Sequence, residues 1–132
     1  MPATATAREQ IFKCEICGNV VEILDAGNES LVCCDEPMCL MEASHEDKGA
    51  EKHLPVAEST VDGIIVKVGD VPHPMEKEHH IQWIEVVDGD RVVRVYLKPG
   101  QDPQAVFAGI PVGVILREFC NVHGLWETTY QP

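Results

Sequence analysis

The sequence predicts a mainly β protein built in two parts: a small N-terminal domain held by a metal, then a larger β-sandwich or barrel. Three observations predict it. Five of the six cysteines fall within residues 11–41, and a piece of about 40 residues is too small to fold without a metal or disulfides. From residue 54 onward, short runs rich in β-branched and aromatic residues are separated by turn signals. Nothing in that half sustains the 3.6-residue apolar period of a helix.

Residues 1–10 are rich in Ala and Thr and lack the apolar stretch of a secretory signal, so a disordered tail is expected. Within 11–41, apolar runs at 20–24 and 31–32 read as small strands, with Asp25, Ala26, Gly27 and Asn28 as the turn between them. Residues 42–50 are polar, small and aperiodic, which is the pattern of a linker. Residues 51–132 form the second domain. Strands are expected at 64–68, 81–87, 91–97, 112–119 and 125–130, with Asp62-Gly63, Gly69-Asp70, Pro99-Gly100 and His123-Gly124 as turns. Asp88-Gly89-Asp90 between two of these strands reads as a hairpin loop. Residues 101–107 are expected to form at most a short turn of helix.

Twenty-two acidic residues against ten basic give a net charge of −12. Nucleic acid is not expected as a partner, because its phosphates need a basic face. No membrane span is expected, since no run approaches the ~18 apolar residues required. A small anionic substrate would be repelled at long range, so a local cation at its site would have to overcome that field. Six cysteines without a signal peptide point to a reducing, cytoplasmic compartment, where thiols more often bind metal than pair with one another.

Cys14-x2-Cys17, fifteen residues, then Cys33-Cys34 supplies four thiolates for one tetrahedral metal. A Cys-x2-Cys turn brings two sulfurs to one side, and Gly18 lets the chain fold back with its amides toward them. Adjacent Cys33 and Cys34 would point to opposite faces of a regular strand, so a distorted backbone is needed to aim both at one ion. Zinc and iron both accept this ligand set, and a pair of disulfides is the rival in an oxidising compartment. Cys39 is left over and has no assigned role.

A second set gathers on the larger domain. Cys120-x2-His123 puts a thiolate and an imidazole within reach of one ion at a strand end. Pro72-His73-Pro74 fixes an extended loop that holds an imidazole at low entropic cost. His79 follows close enough to turn back, and adjacent His80 would face the other way. His53 stands in Glu51-Lys52-His53, and His45 sits alone as a solvated residue. Imidazoles with one thiolate suit iron, copper or zinc. Met75 would complete a copper site, whereas the extra imidazoles favour a metal of higher coordination number, iron.

These motifs resemble the desulfoferrodoxin family of superoxide reductases, from Phe12 to about Trp126. The matching stretches include Lys13-Cys14-Glu15-Ile16-Cys17-Gly18-Asn19, Leu31-Val32-Cys33-Cys34, Glu51-Lys52-His53-Leu54-Pro55-Val56, Lys67-Val68-Gly69-Asp70-Val71-Pro72-His73-Pro74-Met75, Leu97-Lys98-Pro99-Gly100 and Cys120-Asn121-Val122-His123-Gly124. The resemblance implies a desulforedoxin-like domain whose iron is held by Cys14, Cys17, Cys33 and Cys34. It implies an immunoglobulin-like β-sandwich whose iron takes His53, His73, His79 and His123 as equatorial ligands and Cys120 as axial ligand, opposite an open position. It also implies a homodimer.

The expected activity is therefore one-electron reduction of superoxide to hydrogen peroxide. The axial thiolate donates electron density that would favour release of peroxide over O–O cleavage, with outer hydrogen bonds to the sulfur deciding between the two. Lys52, beside His53, supplies a local cation and by resemblance helps deliver a proton; Glu51 resembles the glutamate that takes the open position on ferric iron. A rubredoxin-like carrier would supply the electron. A non-catalytic electron carrier with two metals and a zinc-containing adaptor are the alternatives.

Overall fold

The computed structural model describes residues 6–28, 30–45, 53–69, 73–110 and 113–131. The chain divides into two compact units, Met1–Glu42 and Ala43–Pro132. Parts of the expected tail and linker, residues 1–5 and 46–50, lie outside the described residues.

In the first unit, β1 (Ile11–Lys13) is the centre of an antiparallel sheet between β2 (Val20–Glu22) and β5 (Cys39–Met41). A separate hairpin joins β3 (Val32–Cys33) to β4 (Glu36–Pro37). The apolar side chains here are few: Phe12, Cys14, Ile23 and Met38 make one small buried cluster. That is the scarcity that calls for a metal in a piece this size. Within residues 6–10, Thr6 and Glu9 donate backbone hydrogen bonds to the carbonyls of Gly27 and Ile23.

The second unit is a sandwich of two antiparallel sheets. One holds β6 (Pro55–Ser59), β7 (Gly63–Val68) and β10 (Gln104–Ala108) in the order β10-β7-β6. The other holds β8 (Ile81–Asp88), β9 (Arg91–Tyr96), β11 (Ile115–Cys120) and β12 (Gly124–Thr129) in the order β12-β11-β8-β9. Alternation puts Ile64, Val66 and Val68 of β7 and Ala105 and Phe107 of β10 inward, where they meet Ile84, Val86 and Leu116 of the opposite sheet. The β8–β9 turn comes as expected: Asp88 pairs with Arg91, and Gly89 takes φ +56°, the left-handed conformation that a two-residue loop requires.

The expectation for residues 101–107 fails. Residues 101–107 do not form a turn of helix; Gln104–Ala108 is strand β10, hydrogen-bonded to β7 from Gln104↔Lys67 to Ala108↔Gly63. Ala105 and Phe107 point into the core and Val106 outward, so a period of two was present in a run too short and too poor in β-branched residues to stand out.

The strand β8 is buried along both faces. On the side away from the sandwich core, Glu85 is enclosed by two arginines across the sheet. Arg94 on β9 donates from its Nε and an Nη to Oε2 at 3.0 and 2.6 Å, and Arg117 on β11 donates from Nε to Oε1 at 2.6 Å. Burial leaves the Glu85 carboxyl raised above its ordinary value, and the two guanidinium groups oppose that rise.

Candidate metal centres

The four-cysteine site is built by two turns. After β1 the chain makes the Cys14-x2-Cys17 knuckle, closed by Gly18 N–H to the Cys14 carbonyl at 2.9 Å with Gly18 at φ +84°. The Cys17 amide points at the Cys14 sulfur, 3.5 Å away, and the Asn19 side-chain amide donates to the Cys33 sulfur at 3.7 Å. The distortion expected at Cys33-Cys34 is a hairpin turn. Cys34 and Asp35 are its two loop residues, both left-handed at φ +55° and +60°, and Cys33 pairs with Glu36 across it. Such a turn lets adjacent side chains converge, and the Cys33 and Cys34 sulfurs lie 3.9 Å apart.

All four sulfurs lie within 4.8 Å of one another. Sulfurs each ~2.3 Å from a tetrahedral ion would be about 3.8 Å apart. The 3.6 Å between Cys17 and Cys33 and the 3.9 Å between Cys33 and Cys34 fit that spacing. The thiols also behave as a set that wants a cation. The Cys17 backbone amide draws the Cys14 thiol down to about 6, against its burial. The Cys34 thiol, hydrogen-bonded to the sulfurs of Cys17, Cys14 and Cys33, is pushed up to about 12. All six cysteines are free thiols, so the disulfide rival finds no support here. Cys39 is exposed on β5, opposite Lys13, and outside the cluster.

The second site lies at one end of the sandwich. His53 precedes β6, His73 and His79 lie on the segment entering β8, and Cys120 and His123 bracket the β11–β12 turn. The structure brings these five together, with ligand atoms within 4.8 Å of one another. The four imidazoles form a closed ring in the order His53, His73, His79, His123. Each ring meets the next edge to face, with centroids 4.7 to 4.9 Å apart. The Nε2 of His53 lies 3.1 Å from both His73 Nε2 and His123 Nδ1. Two nitrogens ~2.1 Å from one ion at right angles would be about 3.0 Å apart. Cys120 is fully buried, with its sulfur 3.8 Å from His123 Nδ1, whereas His123 is exposed. The thiol therefore backs the ring from the protein side, and the ring meets solvent at His123.

Surrounding groups fix the ring. His73 Nδ1 donates to the Pro74 carbonyl at 2.7 Å, which leaves the Nε2 lone pair facing the cluster. Burial pushes His73 down to about 4, so it is neutral and able to ligate at neutral pH. The Trp126 ring stacks on His53 at 4.8 Å and its Nε1 donates to the His123 carbonyl. The His123 amide donates to the Cys120 sulfur at 3.4 Å, the kind of contact that tunes a thiolate ligand. Asn121 joins the His79 segment to the Cys120 turn through its side chain. Sequence reasoning missed Trp126 and Asn121, because neither is a ligand: Trp126 stacks on an imidazole and Asn121 bonds backbone groups. The Asn in the Cys120-x2-His123 spacer was the one available signal.

Met75 is not part of this group; its sulfur accepts the Ile81 amide at 3.4 Å, so the copper alternative loses its axial ligand. His80 is likewise outside, and His45 pairs at 3.1 Å with Glu127. Glu51 and Lys52 lie outside the described residues. Among the described residues no helix is long and apolar enough to cross a membrane.

Comparison with known proteins bears on both units. The family described as Desulfoferrodoxin matches residues 45–129, and the one described as Desulfoferrodoxin, N-terminal domain matches residues 6–41. The chain is 54% identical to a desulfoferrodoxin homolog of Methanothermobacter thermautotrophicus, over 92% of this chain and 98% of the relative. It is 36% identical to a superoxide reductase of Pyrococcus abyssi, over 64% of this chain and 90% of that one. Among solved structures, the superoxide reductase from Treponema pallidum matches with a TM-score of 0.74 at 29% identity, covering 93% of this chain and all of that one.

Proposed function

Because this chain belongs to the desulfoferrodoxin family, we infer that it is a superoxide reductase, an oxidoreductase that converts superoxide to hydrogen peroxide with one electron per turnover. The observation that carries this reading is the closed ring of four imidazoles with one buried thiol beside it, reaching solvent at His123. Iron, when held by His53, His73, His79, His123 and Cys120, supplies the one-electron couple and a position for a small anion. The second iron is held by Cys14, Cys17, Cys33 and Cys34.

The chain's own residues do the rest. Cys120, buried at the end of β11, would offer its sulfur to the metal, and the His123 amide donates a hydrogen bond to that sulfur. Trp126 shields His53 and holds its plane. Lys52, next in sequence to His53, gives superoxide a local cation in a chain of net charge −12 and passes a proton toward the departing peroxide through water. Glu51, two residues before His53 in the sequence, would supply a carboxylate to the metal between turnovers. The electron comes from a rubredoxin-like carrier, the chain works as a homodimer, and six cysteines with no disulfide among them fit a cytoplasmic setting. The domains run 11–41 and 51–132, joined by 42–50.

Metal analysis of the purified chain tests this. Two irons per chain are expected, with superoxide consumed at the expense of a reductant and no oxygen evolved. Two zincs would leave a structural adaptor instead, and oxygen evolution without reductant would make the chemistry dismutation.

A further inference from the structure

Four of the five ligands of the His/Cys centre come from two segments that must meet in register: the stretch carrying His73 and His79, and the turn carrying Cys120 and His123. The pairing of β11 with β8 changes where they meet. It runs in one register from Ile115↔Val87 to Phe119↔Trp83, then slips so that Cys120 faces Ile81 and Gln82 is left over. That irregularity re-aims the end of β11 and brings Asn121 alongside His80. The Asn121 amide then donates to the His80 carbonyl at 3.2 Å.

The Asn121 side chain adds two more bonds. Its Oδ1 accepts the His80 backbone N–H at 2.9 Å, and its Nδ2 donates to the Glu78 carbonyl at 2.9 Å. The His80 N–H can only donate, which fixes which end of the amide faces it. His79 is thus bracketed, with the residue before it held through its carbonyl and the residue after it held through its amide. Only a side chain that both donates and accepts over this short reach makes both contacts; an aspartate keeps one and an alanine neither. Between Glu76 and His79 the segment also closes on itself through reciprocal backbone bonds of 2.9 and 3.1 Å, so it moves as a unit and Asn121 fixes where that unit sits.

We propose that Asn121 is a positioning residue that sets the His79 imidazole against the Cys120 thiolate, and so determines how well the five-ligand centre is formed before metal arrives. This rests on the reading that those five side chains hold a metal. The test uses the full chain and cobalt(II), with occupancy of each centre followed by its own visible absorption. Loss of a supporting hydrogen-bond partner lowers metal affinity by roughly 10- to 100-fold. Asn121→Ala is expected to show that loss at the five-ligand centre only, with a shifted thiolate-to-cobalt band. Asn121→Asp, which keeps the accepting contact, is expected to retain part of the affinity. The four-cysteine centre, in the other unit, serves as the internal control for folding. Parent affinity and an unshifted band in Asn121→Ala would overturn the proposal, and so would an equal loss at both centres. If the parent chain took up no cobalt at the five-ligand site, the metal reading itself would fall instead.

Discussion

His73 is held neutral chiefly by burial, which pushes it from 6.5 down to about 4. The unfolded chain therefore takes up that proton first. For the metal-free protein, this contribution to stability is complete above about 6.5 and is lost as pH falls toward 4. Thermal unfolding of the metal-stripped chain should show a lower midpoint at acid than at neutral pH, and His73→Gln should flatten that slope. Equal slopes in the two proteins would remove His73 as the cause. Glu118 presents the opposite sign. It lies fully buried on β11, both carboxylate oxygens lack a hydrogen-bond partner, and burial raises its carboxyl well above the ordinary value. The folded chain holds this proton where the unfolded chain has released it, so stability is lost as pH rises. Glu118→Met removes the unsatisfied oxygens at nearly constant volume. It should stabilise the chain by about 1–3 kcal/mol in urea unfolding at neutral pH.

At the scale of single elements, the turn between β3 and β4 carries the clearest strain. Cys34 cannot be exchanged, because it is a ligand of the four-cysteine centre, but Asp35 can. Asp35→Gly should leave the first unit as stable or more so, whereas Asp35→Val should cost about 1–2 kcal/mol for its left-handed backbone. Denaturation of the metal-loaded chain, followed through the four-cysteine absorption, separates the two. A need for distortion was legible in the adjacency of Cys33 and Cys34, since a regular strand cannot aim neighbours at one point. Its form was not, because neither Cys34 nor Asp35 is the glycine that usually marks such a turn. Strand β10 was misread for a related reason. Its partner β7 is distant in sequence, and Gln104, Ala105 and Ala108 give no local β signal.

For the molecule as a whole, the four cysteines and the Cys120-x2-His123 pair were legible because metal chemistry restricts residue type and spacing far more tightly than packing does, whereas the full set with His53 was legible only through the family resemblance. The supports, Trp126 on His53 and Asn121 between Glu78 and His80, were not, since what they contact is settled only once strands pair. Net charge acts at this scale too. Lys52→Ile should slow superoxide consumption by about 10-fold or more and weaken its dependence on salt. An unchanged rate and salt response would remove Lys52 from steering. A last consequence follows from β8, which is sheltered on both faces and clasped through Glu85 by Arg94 and Arg117. Amide protons of β8 and β11 should be the slowest in the chain to exchange with deuterated solvent, while those of the exposed residues Lys77, Glu78 and Val122 exchange sooner. The rim that grips the ion would then breathe over a sheet that stays shut. Stripping the metal and restoring it should then leave the slow exchange of β8 unchanged.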